Sequence, residues 1–257
     1  TRGFQVGGIA NITGKVDGFQ FGGIANIASK VDGFQFGGIT NIASGVDGFQ
    51  FAGVANVASY VHGLQFAGIA NVSASTDGMQ FAGIANAAAH VSGIQFAGIF
   101  NRAKYVDGVQ FAGILNIAEQ SDYPIGLVNI IRDGELGIGV SYNEAGSATV
   151  SFRSGGRVMY GIVGLGYNHK DKGDGVVLEG GFGAHINCNG WLRIKNELVS
   201  QYIGDFKDSS TTHNSLAVMP SFRLAKWFEV FGGPSINYMQ SDNIANTGMF
   251  PSNSLWK

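Results

Sequence analysis

Charge is what this sequence has least of. Asp, Glu, Lys and Arg make up 13% of its 257 residues, against about 25% in an ordinary soluble domain. The formal net charge is −2, with no basic excess to grip a phosphate backbone, so nucleic acid is excluded as a partner. A single cysteine, Cys188, precludes an internal disulfide framework. Although 45% of the residues are hydrophobic, no uninterrupted apolar run is long enough for a helical membrane span. Proline is down to 4 residues, and no Pro/Ser-rich linker divides the chain. No secretory signal opens it, and the repeat described next is already running at Gly3, so Thr1 is expected to lie inside a longer gene product.

Glycine is abundant, with 41 residues, and it recurs on a fixed spacing. Residues 16–30 read VDGFQFGGIANIASK, and copies begin at Thr1 (incomplete), Val16, Val31, Val46, Val61, Thr76, Val91 and Val106. The period is fifteen residues without insertions, and the eight copies share a Gly-x-Gln-x-x-Gly-x-x-Asn skeleton, as in Gly18, Gln20, Gly23 and Asn26. Side chains of a strand alternate between two faces. Gly18, Gln20, Gly22, Ile24, Asn26 and Ala28 fall on one face, and Phe19, Phe21, Gly23, Ala25 and Ile27 on the other. The first face is small and amide-bearing; the second is apolar. Roughly eleven residues lie between turn signals such as Asp32-Gly33, which suits a membrane-spanning β-strand of ~9–11 alternating residues.

The eighth copy passes without a linker into Pro124-Ile125-Gly126-Leu127-Val128-Asn129, which repeats half of the skeleton. Beyond Asp133 the repeat disappears but the alternation sharpens. Strands are predicted near 125–131, 135–142, 147–153, 157–167, 175–187, 190–203, 214–224 and 227–240, and the tail from 241 to 257 is expected to be irregular. Long polar connections at 168–174 and 204–213 alternate with short ones at 188–190 and 225–226, as extracellular loops alternate with periplasmic turns in outer-membrane barrels.

The repeats, the hand-over at Pro124–Asn129 and the closing Phe231-Gly232-Gly233-Pro234-Ser235-Ile236-Asn237-Tyr238 resemble the repeat-bearing surface proteins of Bacteroidota and similar Gram-negative bacteria. The resemblance covers most of the chain. It implies an outer-membrane or surface location with a β-barrel and carries no catalytic residues across. Unlike standard barrels, the chain does not close on an aromatic residue, since it ends Trp256-Lys257.

Two all-β architectures follow. In the first, residues 1–240 form one antiparallel transmembrane barrel of about sixteen strands, with repeats as strands in 1–120 and a non-repeat half in 121–240. In the second, the repeats wind into a β-solenoid of fifteen-residue coils joined to an approximately eight-stranded barrel. The barrel is favoured because Arg102, Ala87, Phe100 and Leu115 occupy repeat positions that a thin solenoid core built from the Phe/Ile set could not tolerate. The barrel would also place the Phe pairs at alternate rims as two aromatic girdles.

On that reading Gln20, Asn26, Gln50, Asn56, Gln80, Asn86, Gln110 and Asn116 line one side of the lumen. Arg153, Glu179, His185, Arg193, Lys195, Glu197, Arg223 and Glu229 line the other, as an ion-selective wall or as a salt-bridge network that plugs the bore. Phe19, Phe21, Phe51, Phe81, Leu178, Phe182 and Ile194 face lipid. The invariant Ile or Val at the Ile24 position has no role in this scheme.

No catalytic, cofactor or metal site is expected. The five histidines show no metal-ligand spacing, and residues 168–175 lack the later Glu of a calcium loop. His185 with Asn187 invites comparison with a barrel lipase but has no serine partner. The expected function is therefore passive and non-enzymatic: a porin-like pore or a scaffold for a surface assembly, in contact with membrane lipid and other outer-membrane proteins. The alternative is a surface solenoid that binds glycan or protein, with a barrel as anchor.

Overall fold

The computed structural model describes residues 1–170, 175–204, 210–225 and 227–241; residues 171–174 and 205–209 of the two long polar connections and the predicted tail beyond Ser241 lie outside them, whereas Gly204 and Ser210–His213, expected in a connection, and Ser241, expected in the tail, are strand. Among the described residues the chain is all strand, turn and bend, without a helix. It divides into two compact units, Thr1–Gly134 and Glu135–Lys257.

The first unit is a β-solenoid of about nine turns, and this corrects the sixteen-stranded antiparallel barrel. Each repeat pairs in parallel with the next at a shift of fifteen residues, so that Asn26 meets Asn41, Gln35 meets Gln50 and Phe36 meets Phe51. Like therefore stacks on like along the axis. Asp32-Gly33 does not close a hairpin: Gly33 adopts φ of 129° inside the strand Ala25–Gly37, and the chain passes through it. The coil has two corners instead. One is Gly23-Ile24 and its equivalents, the other Ser29-Lys30 and theirs, with all four residues exposed. Between corners, Asn26, Ala28, Val31 and Gln35 point inward while Ile27, Phe34 and Phe36 point outward.

The inward set explains the strict parity of the repeat. The interior of so flat a coil has room for small residues and for amides that bond to their own copies. Val16, Val31, Val46 and Val61 stack with Ala28, Ala43 and Ala58 near the Ser-Lys corner. Next to them a glutamine ladder climbs the axis, for example Gln50 Nε2 donating to Gln35 Oε1 at 2.7 Å and Gln65 Nε2 to Gln50 Oε1 at 2.8 Å. An asparagine ladder fills the other end, with Asn41 Nδ2 donating to Asn56 Oδ1 at 2.9 Å and to the Phe51 carbonyl at 2.7 Å. The second bond ties one corner of the coil to the opposite strand. A buried amide is tolerable only when bonded, and here each copy supplies the partner of the next.

The residues that argued against a solenoid prove to be outside its core. Arg102 is exposed, and Phe100 and Leu115 are half-buried on the outer surface. Because the coils are parallel, the phenylalanines form columns along the axis in place of girdles. Phe19–Phe34 and Phe34–Phe49 lie with centroids 4.8 Å apart, and Phe21–Phe36 at 4.9 Å.

The array ends with an altered coil. Pro124 stands opposite Gln110, so the glutamine ladder stops and Gln110 Oε1 has no partner. Asparagine continues one coil further, from Asn116 Nδ2 to Asn129 Oδ1 at 2.8 Å. The predicted strand at 125–131 belongs to this last coil, as part of Gln120–Ile125 and Val128–Ile131.

The second unit is one antiparallel sheet. Glu135–Tyr142, Ser147–Gly155, Met159–Asn168, Val176–Asn187, Leu192–Gly204 and Ser210–Ala225 pair in chain order. The last strand is interrupted at Gly232-Gly233-Pro234, and both pieces, Phe228–Phe231 and Ser235–Ser241, pair with Ser210–Ala225. Among the described residues no ladder joins the first strand to the last, so the sheet is a curled, open half-barrel.

Candidate functional site

The curled sheet is inside-out relative to a soluble one. Its concave side carries all eight of the charged and histidine residues predicted for a bore. Arg153 Nη2 lies 3.1 Å from Glu197 Oε2, and Tyr160 donates its hydroxyl to the same carboxylate at 2.8 Å. Arg193 forks onto Glu135 with both bonds at 2.6 Å, and Arg223 reaches Glu135 at 3.3 Å. Lys195 bonds Glu229 at 3.0 Å, and both Lys195 and Arg153 sit over the Phe231 ring, 4.6 and 4.9 Å from its centroid. Glu179 accepts from Gln201 Nε2 at 2.7 Å and from Thr149 Oγ1 at 3.2 Å. His185 is buried and stacks on Tyr160; its Nε2 has no hydrogen-bond partner.

Several of these bonds span the curl: Glu135 on the first strand reaches Arg193 and Arg223 on the fifth and sixth, and Asn237 on the last reaches Glu144. Glu135, Tyr160, Gln201 and Asn237 complete the network and were missed as site residues, although the parity that selected Arg153 and Glu197 also places Glu135 and Gln201 on this side. The network satisfies its own charges, as burial requires. Tyr160→Phe should lower the stability of the sheet by about 1.5–3 kcal/mol, the usual contribution of a hydrogen bond to a charged group. The shift would be read from urea midpoints. Tyr238→Phe, on an exposed side chain, should leave the midpoint in place.

The convex side of the sheet is mostly apolar and uncharged, interrupted by Asn196, Ser200, Thr212 and Asn214. Leu136, Ile138, Val140, Leu165, Leu198 and Leu216 are all exposed, as is Leu178, whereas Phe182 and Ile194 are half-buried on the same outer side. Leu178, Phe182 and Ile194, expected to face lipid, thus lie on the outer side of the sheet.

In the solenoid, the predicted lumen amides are not on a lumen. Gln20, Asn26, Gln50, Asn56, Gln80, Asn86, Gln110 and Asn116 are each 0% exposed, locked in the ladders of the closed core. Phe19, Phe21, Phe51 and Phe81 do point outward, but on the flank of a coil and not the wall of a barrel.

The outer surface of the solenoid is segregated. The Asp32 column holds Arg2, Asp17, Asp47, His62, Asp77 and Asp107; the Lys30 column adds Lys15 and His90, and the Ser29 column Lys104 and Glu119. These and the two column founders account for every charged or histidine residue of 1–119 except Arg102. His62 Nδ1 lies 3.2 Å from Asp47 Oδ1, so the acidic column is partly bridged within itself. The opposite corner carries Ile9, Ile24, Ile39, Val54, Ile69, Ile84, Ile99, Ile114 and Leu127, all exposed. Beside it a shallow groove of about 550 Å³ runs along the axis, floored by Gly22, Gly23, Gly37, Gly38 and Gly53 and walled by Phe21, Phe36, Phe51 and Phe66.

No family model, no curated protein and no solved structure matches this chain. Its function has to be argued from these surfaces. Among the described residues no group of His, Cys, Asp and Glu is arranged to hold a metal ion.

Proposed function

We propose that the chain is a surface protein of a Gram-negative outer membrane, in which the sheet of 135–241 is the membrane anchor and the solenoid is a repetitive contact surface and scaffold. The observation that carries this reading is the inversion of the sheet: a paired ionic network on the concave side, and leucine, isoleucine and valine exposed along the convex side. That is the pattern of a lipid-facing barrel wall, whereas contiguous apolar patches of this extent are rare on soluble monomers. The resemblance of the repeats to Bacteroidota surface proteins supports the same location. A passive pore is less favoured, because the charges that would line it are spent on one another.

Backbone groups in lipid must be paired. The strand Glu135–Tyr142 pairs on one side only among the described residues, as does Ser235–Ser241. These edges are where the reading places other outer-membrane proteins. Leu198, at the middle of its strand and 56% exposed, gives the test. Leu198→Arg should cost about 2–4 kcal/mol in a bilayer and abolish membrane assembly. The unsubstituted chain should need detergent for extraction and should change its electrophoretic mobility on boiling. Extraction into plain buffer, with Leu198→Arg folding as well as wild type, would overturn the anchor.

A further inference from the structure

The solenoid is amphipathic about its own axis, and we infer that its Gly-Ile corner lies in the hydrocarbon surface of a lipid bilayer while its Asp-Lys corner stays in water. The inference concerns the repeats alone and stands whether or not the sheet is an anchor.

Three observations favour lipid over any other occupant. The first is charge segregation: all charged or histidine residues of the repeats but Arg102 lie at the Ser29-Lys30-Asp32 side, so the opposite corner carries no ionised side chain into the bilayer. Arg102 is three positions from its corner residue Ile99 and exposed, where a long side chain can snorkel to the interface.

The second is the backbone. A loop in hydrocarbon is ordinarily prohibited because its amides lose water. Here the corner bonds to the coil beneath it. Gly38 N–H donates to the Gly22 carbonyl at 3.0 Å, Ile39 N–H to Ile24 at 2.9 Å and Thr40 N–H to Ile24 at 3.0 Å, and Gly68, Ile69 and Ala70 repeat the pattern on Ala52 and Val54. The corner thus meets water's absence with its donors already engaged.

The third is tolerance on the flanks. Along the axis the outward position of Phe34 becomes Leu64, Met79, Ile94 and Val109, and that of Ile27 becomes Val57 and Ala87, while the corner itself changes only among Ile, Val and Leu. A second copy of the chain, or any packed protein partner, needs complementary shapes and a rim of hydrogen bonds; fluid acyl chains need neither. Depth agrees as well. Phe36 and Ile42 lie three residues either side of Ile39, which at ~3.3 Å per residue places the apolar flanks within about 10 Å of the corner, the depth to which interfacial amphipathic helices enter. The polar corner mixes both signs, so binding should need no anionic lipid.

The full chain with Cys188→Ser, carrying one environment-sensitive fluorophore at Ile69→Cys, Ser59→Cys or Leu198→Cys, is reconstituted with phosphatidylcholine vesicles containing nitroxide-labelled acyl chains. The Ile69 label should be quenched at least about twofold more than the Ser59 label, more strongly by nitroxides near the headgroup than near the chain end. High salt should leave the quenching unchanged. If the Ile69 label stays unquenched, whether bathed in water or covered by a second copy of the chain, the inference fails. In that case quenching at Leu198 leaves the anchor standing, and its absence removes both. Quenching at Ile69 without quenching at Leu198 supports the solenoid inference and removes the anchor.

Discussion

Gly63→Ala should unfold the solenoid more readily than almost any other single methyl addition to it. Gly63 has φ of 133°, and a Cβ there would sit 2.1 Å from the Gly48 carbonyl oxygen of the coil below. The contact is with backbone, and that backbone is held by a ladder running from Thr40↔Ala55 to Ala52↔Ala67, so the neighbour cannot yield locally. Strain at the dihedral costs about 1–3 kcal/mol and overpacking a further 1–3, giving about 2–6 kcal/mol together. In a solenoid each coil contacts only its neighbours, so a damaged interface in mid-array leaves two short stacks, each less stable than the whole. The far-ultraviolet signal should lose its urea midpoint accordingly. Gly45→Ala is the control: nothing lies within 4 Å of the new methyl and φ is ordinary, so stability should hold or rise by about 0.5 kcal/mol. Equal midpoints for the two variants would contradict the parallel register.

That register is also where the sequence was hardest to read. The fifteen-residue period, the two faces of the repeat and most of the later strands were legible from alternation; the corner at Gly23-Ile24, the passage of the strand through Asp32-Gly33, the strand start at Ser210 and the break at Gly232-Gly233-Pro234 were not. What alternation lacks is a sign: it separates Gln20 and Asn26 from Phe21 and Ile27 without saying which set is inside. Assigning the large apolar set to the core made Arg102 and Phe100 look impossible for a solenoid, and a barrel followed. The identity of the amide positions across copies was the stronger cue. A Gln that must bond the Gln of the next coil cannot vary, whereas an outward Phe can become Leu, Met or Ile. The Ile24 position, without a role in a barrel, is the corner of the coil. In the sheet the same parity put Arg153, Glu179, Lys195 and Glu197 together on the concave side, since the outward strand positions carry no charge even where Asn196 and Ser200 interrupt their apolar run; among the described residues the open edge between first and last strands left no trace in the pattern.

Asn71→Asp should be the most damaging isosteric change in the core, and its cost should depend on pH. Asn71 is 0% exposed. Its Nδ2 donates to the Phe81 carbonyl at 2.7 Å and to Asn86 Oδ1 at 2.9 Å, while Asn56 Nδ2 donates to its Oδ1 at 2.9 Å. Aspartate keeps the shape but sets a carboxylate oxygen against two acceptors, with no cation in reach, so the expected loss at neutral pH is about 3–5 kcal/mol, the cost of an uncompensated buried charge. Burial and the facing acceptors raise the folded-state pKa of the new carboxyl above its unfolded value of about 3.9. The sign then follows: the penalty is smallest below the unfolded pKa and grows as pH rises through the folded one. Urea midpoints of the variant should therefore approach those of wild type as the solution is acidified toward pH ~4. Recovery should stop short of wild type, because a protonated carboxyl supplies one donor where the amide supplied two. Ser59→Asp, which places the same charge on the exposed polar corner of the preceding coil, should show neither the loss nor its pH dependence. A loss at Asn71 that ignores pH would mean that packing, and not the directed amide bond, holds the ladder together.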